Sequence, residues 1–156
     1  MKMIKLIFVF IFLLSGCMSN HTSKSCLNES DGLYLLSQDK GLLNLTPVTE
    51  YFPDGFSGYI YVMNSECSDC IGTFISFVKK LSASRYCGNL LVVISVATQP
   101  VVNHYIKEYD FSKNINVILS EDKQGKWGIG SIEKENGKVY VVTDNKIENV
   151  FQYALY

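Results

Sequence analysis

The sequence predicts an α/β domain in which a mixed β-sheet forms the middle of three layers and a β-hairpin closes the fold. Three runs of apolar residues are long enough for buried strands, and each of the first two is followed by a segment with helical apolar spacing. Two further strand-like runs near the end of the chain are separated by two turn-forming residues, which is typical of a hairpin. This order of elements indicates a layered domain with a mixed sheet.

The first strand and helix carry the clearest patterns. Residues 59–63 (YIYVM) are continuously apolar, β-branched or aromatic, as expected of a strand that is buried on both faces. Beyond Asp69, apolar residues recur with helical spacing at Ile71, Phe74, Ile75, Val78 and Leu81. Gly88 is the predicted C-cap of this helix.

The remaining elements follow by the same alternation. Their predicted bounds are 90–97 for the second strand, 115–119 for the third, and 138–143 and 146–151 for the hairpin strands. Pro100 suits the first turn of a helix between the second and third strands. Asp144 and Asn145 supply the hairpin turn. Residues 33–56 contain several glycines and prolines and predict only a short strand or helical turn ahead of the sheet.

Residues 1–16 predict a lipoprotein signal peptide. Two lysines precede an apolar run at residues 6–14, which is about half of the roughly 20 residues that a bilayer-spanning helix requires. The following Leu-Ser-Gly-Cys17 resembles the lipobox of bacterial lipoproteins. That resemblance implies cleavage before Cys17, acylation of Cys17 with fatty acids such as palmitate, and a membrane anchor. An ordinary signal peptide with Cys17 as an incidental thiol is the alternative.

The lipobox resemblance implies a protein of the bacterial cell envelope that faces the periplasm or the exterior. Met18 and Ser19, and no aspartate, follow Cys17, which favours the outer membrane under the enterobacterial sorting rule. Residues 17–32 are polar and rich in serine and asparagine, so they predict a flexible tether. Residues 33–156 are enough for one domain with its own core.

Charge and cysteine content narrow the classes of function. The 14 lysine and arginine side chains include two in the leader, so the mature chain carries 12 against 15 acidic ones, a net charge of −3. With no basic cluster and a single arginine, Arg85, nothing predicts nucleic-acid binding. In an exported protein disulfides can form and persist, so the cysteines other than Cys17 are candidates for pairing.

Cys67 and Cys70 form a Cys-x-x-Cys pair between the first strand and the first helix. A thiolate attacks disulfides, and unpaired backbone N–H groups together with the helix macrodipole stabilise a thiolate at a helix N-terminus. Cys67 lies nearest that end and is the predicted nucleophile, whereas Cys70, one turn inside, is predicted to resolve the mixed disulfide. Three residues of separation bring both sulfurs to one face of the helix.

With this motif in this order of elements, residues 56–151 resemble the thioredoxin fold, and more closely the membrane-tethered thioredoxin-like lipoproteins of bacterial envelopes. The resemblance implies a thiol–disulfide oxidoreductase, a reductase or isomerase, that acts on extracytoplasmic protein disulfides or dithiols. It implies no dissociable cofactor, because electrons come through a partner dithiol, such as a membrane protein that donates them outward. The alternative is a non-enzymatic lipoprotein that keeps the fold as an interaction scaffold with a structural disulfide.

The chain departs from thioredoxins at two places. Glu66 precedes the first cysteine, and Ser68 and Asp69 separate the pair, where thioredoxins have an aromatic residue and Gly-Pro. These carboxylates should oppose thiolate formation at Cys67 and favour a reductant. Thioredoxins also have a cis-proline just before the hairpin, where this chain has no proline and Lys138 or Val139 is expected.

The remaining metal-binding and thiol side chains offer few alternatives. A zinc site needs four ligands, and beside one Cys-x-x-Cys the sequence has only two histidines, His21 and His104, so no metal site is predicted. Cys26 and Cys87 can form a second disulfide between the tether and the end of the first helix, with free thiols or intermolecular pairing as the other outcomes. Trp127 is predicted to pack a loop against the core, with the lining of a substrate groove as the alternative.

Overall fold

The structure, a computed structural model of the 156-residue chain, describes residues 43–95, 99–108 and 114–154. Residues 1–42, which include the predicted signal peptide and tether, lie outside these ranges. The described fold is α/β, with five strands in one mixed sheet. Over the ranges described, no helix combines the length and apolar character that a membrane span needs.

The elements follow the order that the sequence predicts. The strands are β1 (Gly58–Met63), β2 (Gly88–Ile94), β3 (Ile115–Glu121), β4 (Lys138–Thr143) and β5 (Lys146–Gln152). The helices are α1 (Ser68–Ala83), α2 (Gln99–Glu108) and the single turn α3 (Ile132–Glu135), with 3-10 turns at Thr46–Glu50 and Lys123–Gly125. The sequence predicts a short strand or a helical turn ahead of the sheet, and the first 3-10 turn is the second of these. The second strand ends three residues earlier than predicted, at Ile94.

Strand β1 lies at the centre of the sheet, whose order is β3-β2-β1-β4-β5. β1, β2 and β3 are parallel to one another, while β4 pairs antiparallel with β1 and with β5. Tyr59 therefore has Leu90 on one side and Val141 on the other. The carboxyl ends of the three parallel strands meet at one edge of the sheet, where α/β proteins commonly place their functional sites.

The predicted hairpin is present, with β4 and β5 joined at Asp144 and Asn145. Both residues have positive φ, 47° and 61°, as a two-residue type I′ turn requires and as asparagine and aspartate tolerate. The turn also contacts the start of β1, because the backbone N–H of Asn145 donates to the carbonyl of Phe56 at 3.0 Å. The turn end of the hairpin is thereby held to the chain at the start of the central strand.

Helices α1 and α2 cover the same face of the sheet. The helix side chains in this part of the core are Phe74, Phe77, Val78, Leu81, Val102 and Ile106. Tyr61 of β1 packs its ring against Phe74 and Phe77, with ring centroids 5.3 and 5.1 Å apart. The predicted apolar stripe of α1 is confirmed, except that Phe77 is buried and Ile75 is only partly so. The helix that carries the cysteine pair is thus fixed to the central strand.

Trp127 is fully buried on the opposite face of the sheet, as predicted for a loop-packing residue. Its indole Nε1–H donates to Ser120 Oγ at 3.1 Å, and Tyr51 Oη lies 3.0 Å from the same hydroxyl. The backbone N–H of Asn44 donates to the Trp127 carbonyl at 2.8 Å. These bonds satisfy the buried indole and join the segment before β1 to the segment after β3.

The end of α1 corrects the prediction for Gly88. The helix ends at Ala83 with Ser84 as its C-cap, and Arg85 takes the left-handed conformation, φ 62°, that glycine usually supplies there. Gly88 instead begins β2. A Cβ at Gly88 would lie 2.6 Å from Tyr86 Cζ, so close approach of a ring, and not helix capping, requires glycine.

Candidate redox site

A disulfide between Cys67 and Cys70 lies at the carboxyl edge of the parallel strands. The two Cα atoms are 5.1 Å apart, within the usual range for a disulfide. Cys67 follows β1 by a short turn and is the N-cap of α1, while Cys70 is in the first turn of the helix. The predicted pairing of these residues on one helix face is confirmed.

The turn before α1 sets the position of Cys67. The Asn64 side-chain Oδ1 accepts a hydrogen bond from the backbone N–H of Glu66 at 3.1 Å, which turns the chain out of β1. Cys67 is extended, with φ −109° and ψ 121°, and its carbonyl accepts the first helical bond from Ile71 at 3.1 Å. This is the backbone geometry of an N-cap residue.

The two cysteines differ in exposure. Cys67 is partly exposed, whereas Cys70 is buried, with 9% of its surface accessible. Glu66, Ser68 and Asp69 are exposed around them. Only Cys67 is therefore presented to an incoming molecule, and the carboxylates of Glu66 and Asp69 face solvent.

A backbone donor is aimed at the outer sulfur. The N–H of Cys70 donates to Cys67 Sγ, with 3.2 Å between nitrogen and sulfur. The first N–H groups of a helix have no partner within the helix, so a side-chain acceptor at the N-cap satisfies one of them. After reduction the same N–H would stabilise a thiolate on Cys67.

Two serines that the sequence analysis missed lie at the same edge of the sheet. Ser65 follows β1, Ser95 follows β2, and their hydroxyl oxygens are 3.0 Å apart. Ser65 is 2% exposed, which is rare for a polar residue in a turn. Ser95 falls inside the predicted bounds of the second strand, 90–97, so no signal in the sequence identified the pair; the observed β2 ends at Ile94. The bond joins the turn before α1 to the end of β2.

The loop before β4 corrects the expectation that Lys138 or Val139 takes the place of the cis-proline. β4 begins at Lys138, so Asn136 and Gly137 occupy the loop, and no peptide bond in the described ranges is cis. Gly137 has φ 81°, and a Cβ there would be 2.7 Å from the carbonyl oxygen of Tyr153. Asn136 Oδ1 accepts from the N–H of Asn64 at 2.8 Å, which brings this loop against the turn before Cys67.

The other predicted site residues lie apart from this pair or outside the described ranges. Cys17, Cys26 and His21 are among the residues not described, and Cys87 is disulfide-bonded. His104 is on the exposed side of α2, with its side chain 71% exposed and 3.1 Å from Glu108. Across residues 43–95, 99–108 and 114–154, no three His, Cys, Asp or Glu side chains come together as metal ligands would.

Comparison with known proteins adds no relative. No family model, curated protein or solved structure matches this chain.

Proposed function

We propose that this protein is a membrane-anchored thiol–disulfide oxidoreductase with a thioredoxin-like fold, and that Cys67 and Cys70 are its redox centre. One observation carries the proposal: a partly exposed Cys67 at a helix N-terminus is bonded to a buried Cys70 one turn inside. A disulfide with one accessible sulfur can exchange with another protein, whereas a fully buried one cannot. The central strand before the motif, its parallel neighbour and the antiparallel hairpin support the choice of fold.

The reaction follows from the different positions of the two sulfurs. In the reductive direction the Cys67 thiolate attacks one sulfur of a client disulfide, forms a mixed disulfide and releases one client thiolate. The Cys70 thiolate then attacks the Cys67 sulfur, closes the Cys67–Cys70 disulfide and releases the second client thiolate, which takes up a proton. Two electrons pass from the protein dithiol to the client. A partner dithiol must reduce the enzyme again.

The acidic side chains beside the motif favour the reductive direction. Glu66 precedes Cys67 and Asp69 lies two residues after it, both exposed, and negative charges near a thiol disfavour its thiolate. A less stable thiolate makes the dithiol form a stronger reductant. We therefore propose a reductase or isomerase whose substrates are extracytoplasmic protein disulfides.

The proposal includes the lipid anchor predicted at Cys17. Acylation there would hold the domain at the envelope membrane by the tether at residues 17–32. Two or more acyl chains anchor a protein stably, whereas one binds reversibly. A membrane protein that carries electrons outward would then meet Cys67 at the membrane surface.

Trapping of mixed disulfides tests the proposal. Cys70→Ala, expressed in a bacterium with its predicted signal peptide, should accumulate mixed disulfides through Cys67. They should run as slower bands on non-reducing gels and disappear with dithiothreitol. Cys67→Ala is the matched control and should trap almost nothing, because the remaining thiol is buried. Equal trapping by both variants would reverse or remove the assigned roles. Trapping by neither, together with no reduction of insulin by the wild-type dithiol, would favour the interaction scaffold.

A further inference from the structure

Two asparagines make the same hydrogen bond at opposite ends of β1. Asn136 Oδ1 accepts from the backbone N–H of Asn64 at 2.8 Å, just after the strand. Asn145 Oδ1 accepts from the backbone N–H of Phe56 at 2.8 Å, just before it. Only the first of these bonds lies beside the cysteine pair.

The Asn136 backbone is held on two sides. The N–H of Gly137 donates to the carbonyl of Val62 at 2.8 Å, and the N–H of Tyr153 donates to the carbonyl of Gly137 at 2.8 Å. The Gln152 side-chain amide donates to the carbonyl of Asn136 at 2.6 Å. The loop is therefore tied to the central strand and to the chain at the end of β5. The Asn136 side chain consequently presents its Oδ1 acceptor at a fixed position.

From this acceptor a chain of bonds runs to Cys67. Asn136 holds the backbone of Asn64, and the Asn64 side chain holds the N–H of Glu66. Glu66 is covalently joined to Cys67. The position of the Cys67 sulfur at the helix N-terminus thus depends on a turn that the hairpin loop anchors.

We propose that Asn136 is a positioning residue that keeps Cys67 at the N-cap of α1 when the disulfide is reduced. This inference rests on the proposed function, since it concerns the redox cycle of the same cysteines. In the oxidised protein the covalent bond to Cys70 holds Cys67 in place. In the reduced protein that constraint is gone, and the anchored turn helps to keep the sulfur beside the N–H of Cys70. Asn136 should therefore stabilise the reduced form more than the oxidised form.

The reduction potential separates this role from a merely structural one, because it measures the difference in stability between the two redox forms. Asn136→Ala should make the disulfide about tenfold harder to reduce in equilibrium with glutathione, a shift of about −30 mV. The reactivity of Cys67 towards iodoacetamide near neutral pH should fall with it. Asn145→Gly is the matched control, since it removes the equivalent bond and glycine accepts the φ of 61° at that position. It should lower the unfolding free energy without moving the potential.

Two further variants complete the test. Asn136→Asp keeps the acceptor oxygen but adds a negative charge. In 1 M salt, where the Debye length is about 3 Å, that charge is screened, so the reduction potential of this variant should equal the wild-type value. Asn64→Ala breaks the second bond in the chain and should shift the potential in the same direction as Asn136→Ala. The two alanine substitutions combined should shift it by less than their sum. If Asn136→Ala does not fold, Asn64→Ala alone carries the test.

Equal destabilisation of both redox forms by Asn136→Ala, with an unchanged potential, would make Asn136 structural and overturn the inference. So would an unchanged potential in Asn64→Ala. The measurement needs no client protein. A Cys70→Ala variant that traps no clients, with a wild-type dithiol that does not reduce insulin, would therefore remove the proposed function but leave the potential measurement able to decide the role of Asn136.

Discussion

The backbone N–H of Cys70 points at the sulfur of Cys67, with 3.2 Å between nitrogen and sulfur. This relationship makes the N-terminus of α1 an electrostatic partner of the Cys67 sulfur. The negative charges of Glu66 and Asp69, which flank Cys67 in the sequence, are expected to oppose that effect. The stability of the reduced form therefore depends on the helix N-terminus, which favours the Cys67 thiolate, and on the two carboxylates, which disfavour it. Substituting either carboxylate should change the reduction potential.

Neutralising the acidic side chains beside the motif should raise the reduction potential. Glu66→Gln with Asp69→Asn removes the like charges that oppose the thiolate, so the pKa of reduced Cys67 should fall and the disulfide should become easier to reduce. A tenfold change in the exchange constant with glutathione corresponds to about 30 mV. The wild-type potential should be about −200 mV or lower, in contrast to about −120 mV for a dedicated periplasmic oxidase.

Glu148→Gln with Asp54→Asn provides the control for net charge. Both side chains are exposed and lie outside the segment around the disulfide. This pair should leave the potential unchanged. A wild-type reduction potential of about −120 mV would contradict the prediction of a reductant. Equal shifts in this control and in Glu66→Gln with Asp69→Asn would show that the charges beside the disulfide have no special effect.

Tyr61 should make the protein sensitive to alkali. Its hydroxyl is buried and has no hydrogen-bond partner within the described residues, and burial, followed by the nearby Tyr153, raises its pKa above the ordinary 10.0. The unfolded chain would lose the proton first, so the unfolding free energy should fall as pH rises above about 10, by up to about 1.4 kcal/mol per pH unit for this group. Below that pH the contribution is constant. Tyr61→Phe should flatten the alkaline decline and leave stability at pH 7 unchanged or slightly higher.

Tyr86→Phe is the informative comparison for Tyr61. Burial also raises the pKa of Tyr86, but its hydroxyl donates to the carbonyl of Asn89 at 3.0 Å. Its removal should likewise flatten the alkaline decline, yet cost about 1 kcal/mol at pH 7. Denaturant unfolding at pH 7, 10 and 11 would measure both effects. Identical alkaline limbs in wild type and Tyr61→Phe would contradict the prediction.

Gly88→Ala and Gly72→Ala should change stability in opposite directions. A Cβ at Gly88 collides with the Tyr86 ring, so the substitution should cost about 1–3 kcal/mol. A Cβ at Gly72 meets nothing within 4 Å, and alanine is the better helix former, so that substitution in α1 should add up to about 1 kcal/mol. Urea unfolding measures both. Equal changes in unfolding free energy, or an unchanged unfolding free energy in Gly88→Ala, would show that the Tyr86 ring moves aside without destabilising the protein.

Cys87 should be found paired with Cys26. Cys87 is disulfide-bonded, and Cys67 and Cys70 already bond to each other. Peptide mapping without reduction should recover a disulfide-linked pair of peptides that contain Cys26 and Cys87. On reduction this species should separate into its two peptides. Cys87→Ser should lower the unfolding free energy by about 2–4 kcal/mol, since the bridge restricts the unfolded chain. A dimer linked through Cys87 would contradict this pairing.

The lipid anchor predicted at Cys17 has its own test. Replacing Cys17 with serine removes the acylated thiol, so labelling with palmitate should disappear and the protein should remain uncleaved or be mislocalised. Cys26→Ser, which removes a nearby thiol, should retain the label. Persistent labelling of Cys17→Ser would show that the lipobox resemblance misidentified the site.

The cysteine pair and the order of elements could be predicted because they depend on local patterns. The continuous apolar run at 59–63 places apolar side chains on both faces of a strand, so it predicts a strand in the interior of a sheet. The helical spacing of the apolar residues in α1 is visible in that segment alone. The turn at Asp144 and Asn145 is likewise local, since both residues tolerate positive φ. Each of these features could be inferred from a short stretch of sequence.

Contacts between distant residues were decided by the tertiary structure alone. Asn136 lies beside Asn64 because β1 and β4 pair in one particular register, and the sequence does not specify register between segments some 70 residues apart. The same holds for the bond between Ser65 and Ser95, which requires β1 and β2 to be neighbours. Gly88 looked like a helix cap by local rules, and only the placement of the Tyr86 ring explains why it must be glycine. Local periodicity thus determined which elements form, whereas packing between them decided which side chains hold the cysteine pair in place.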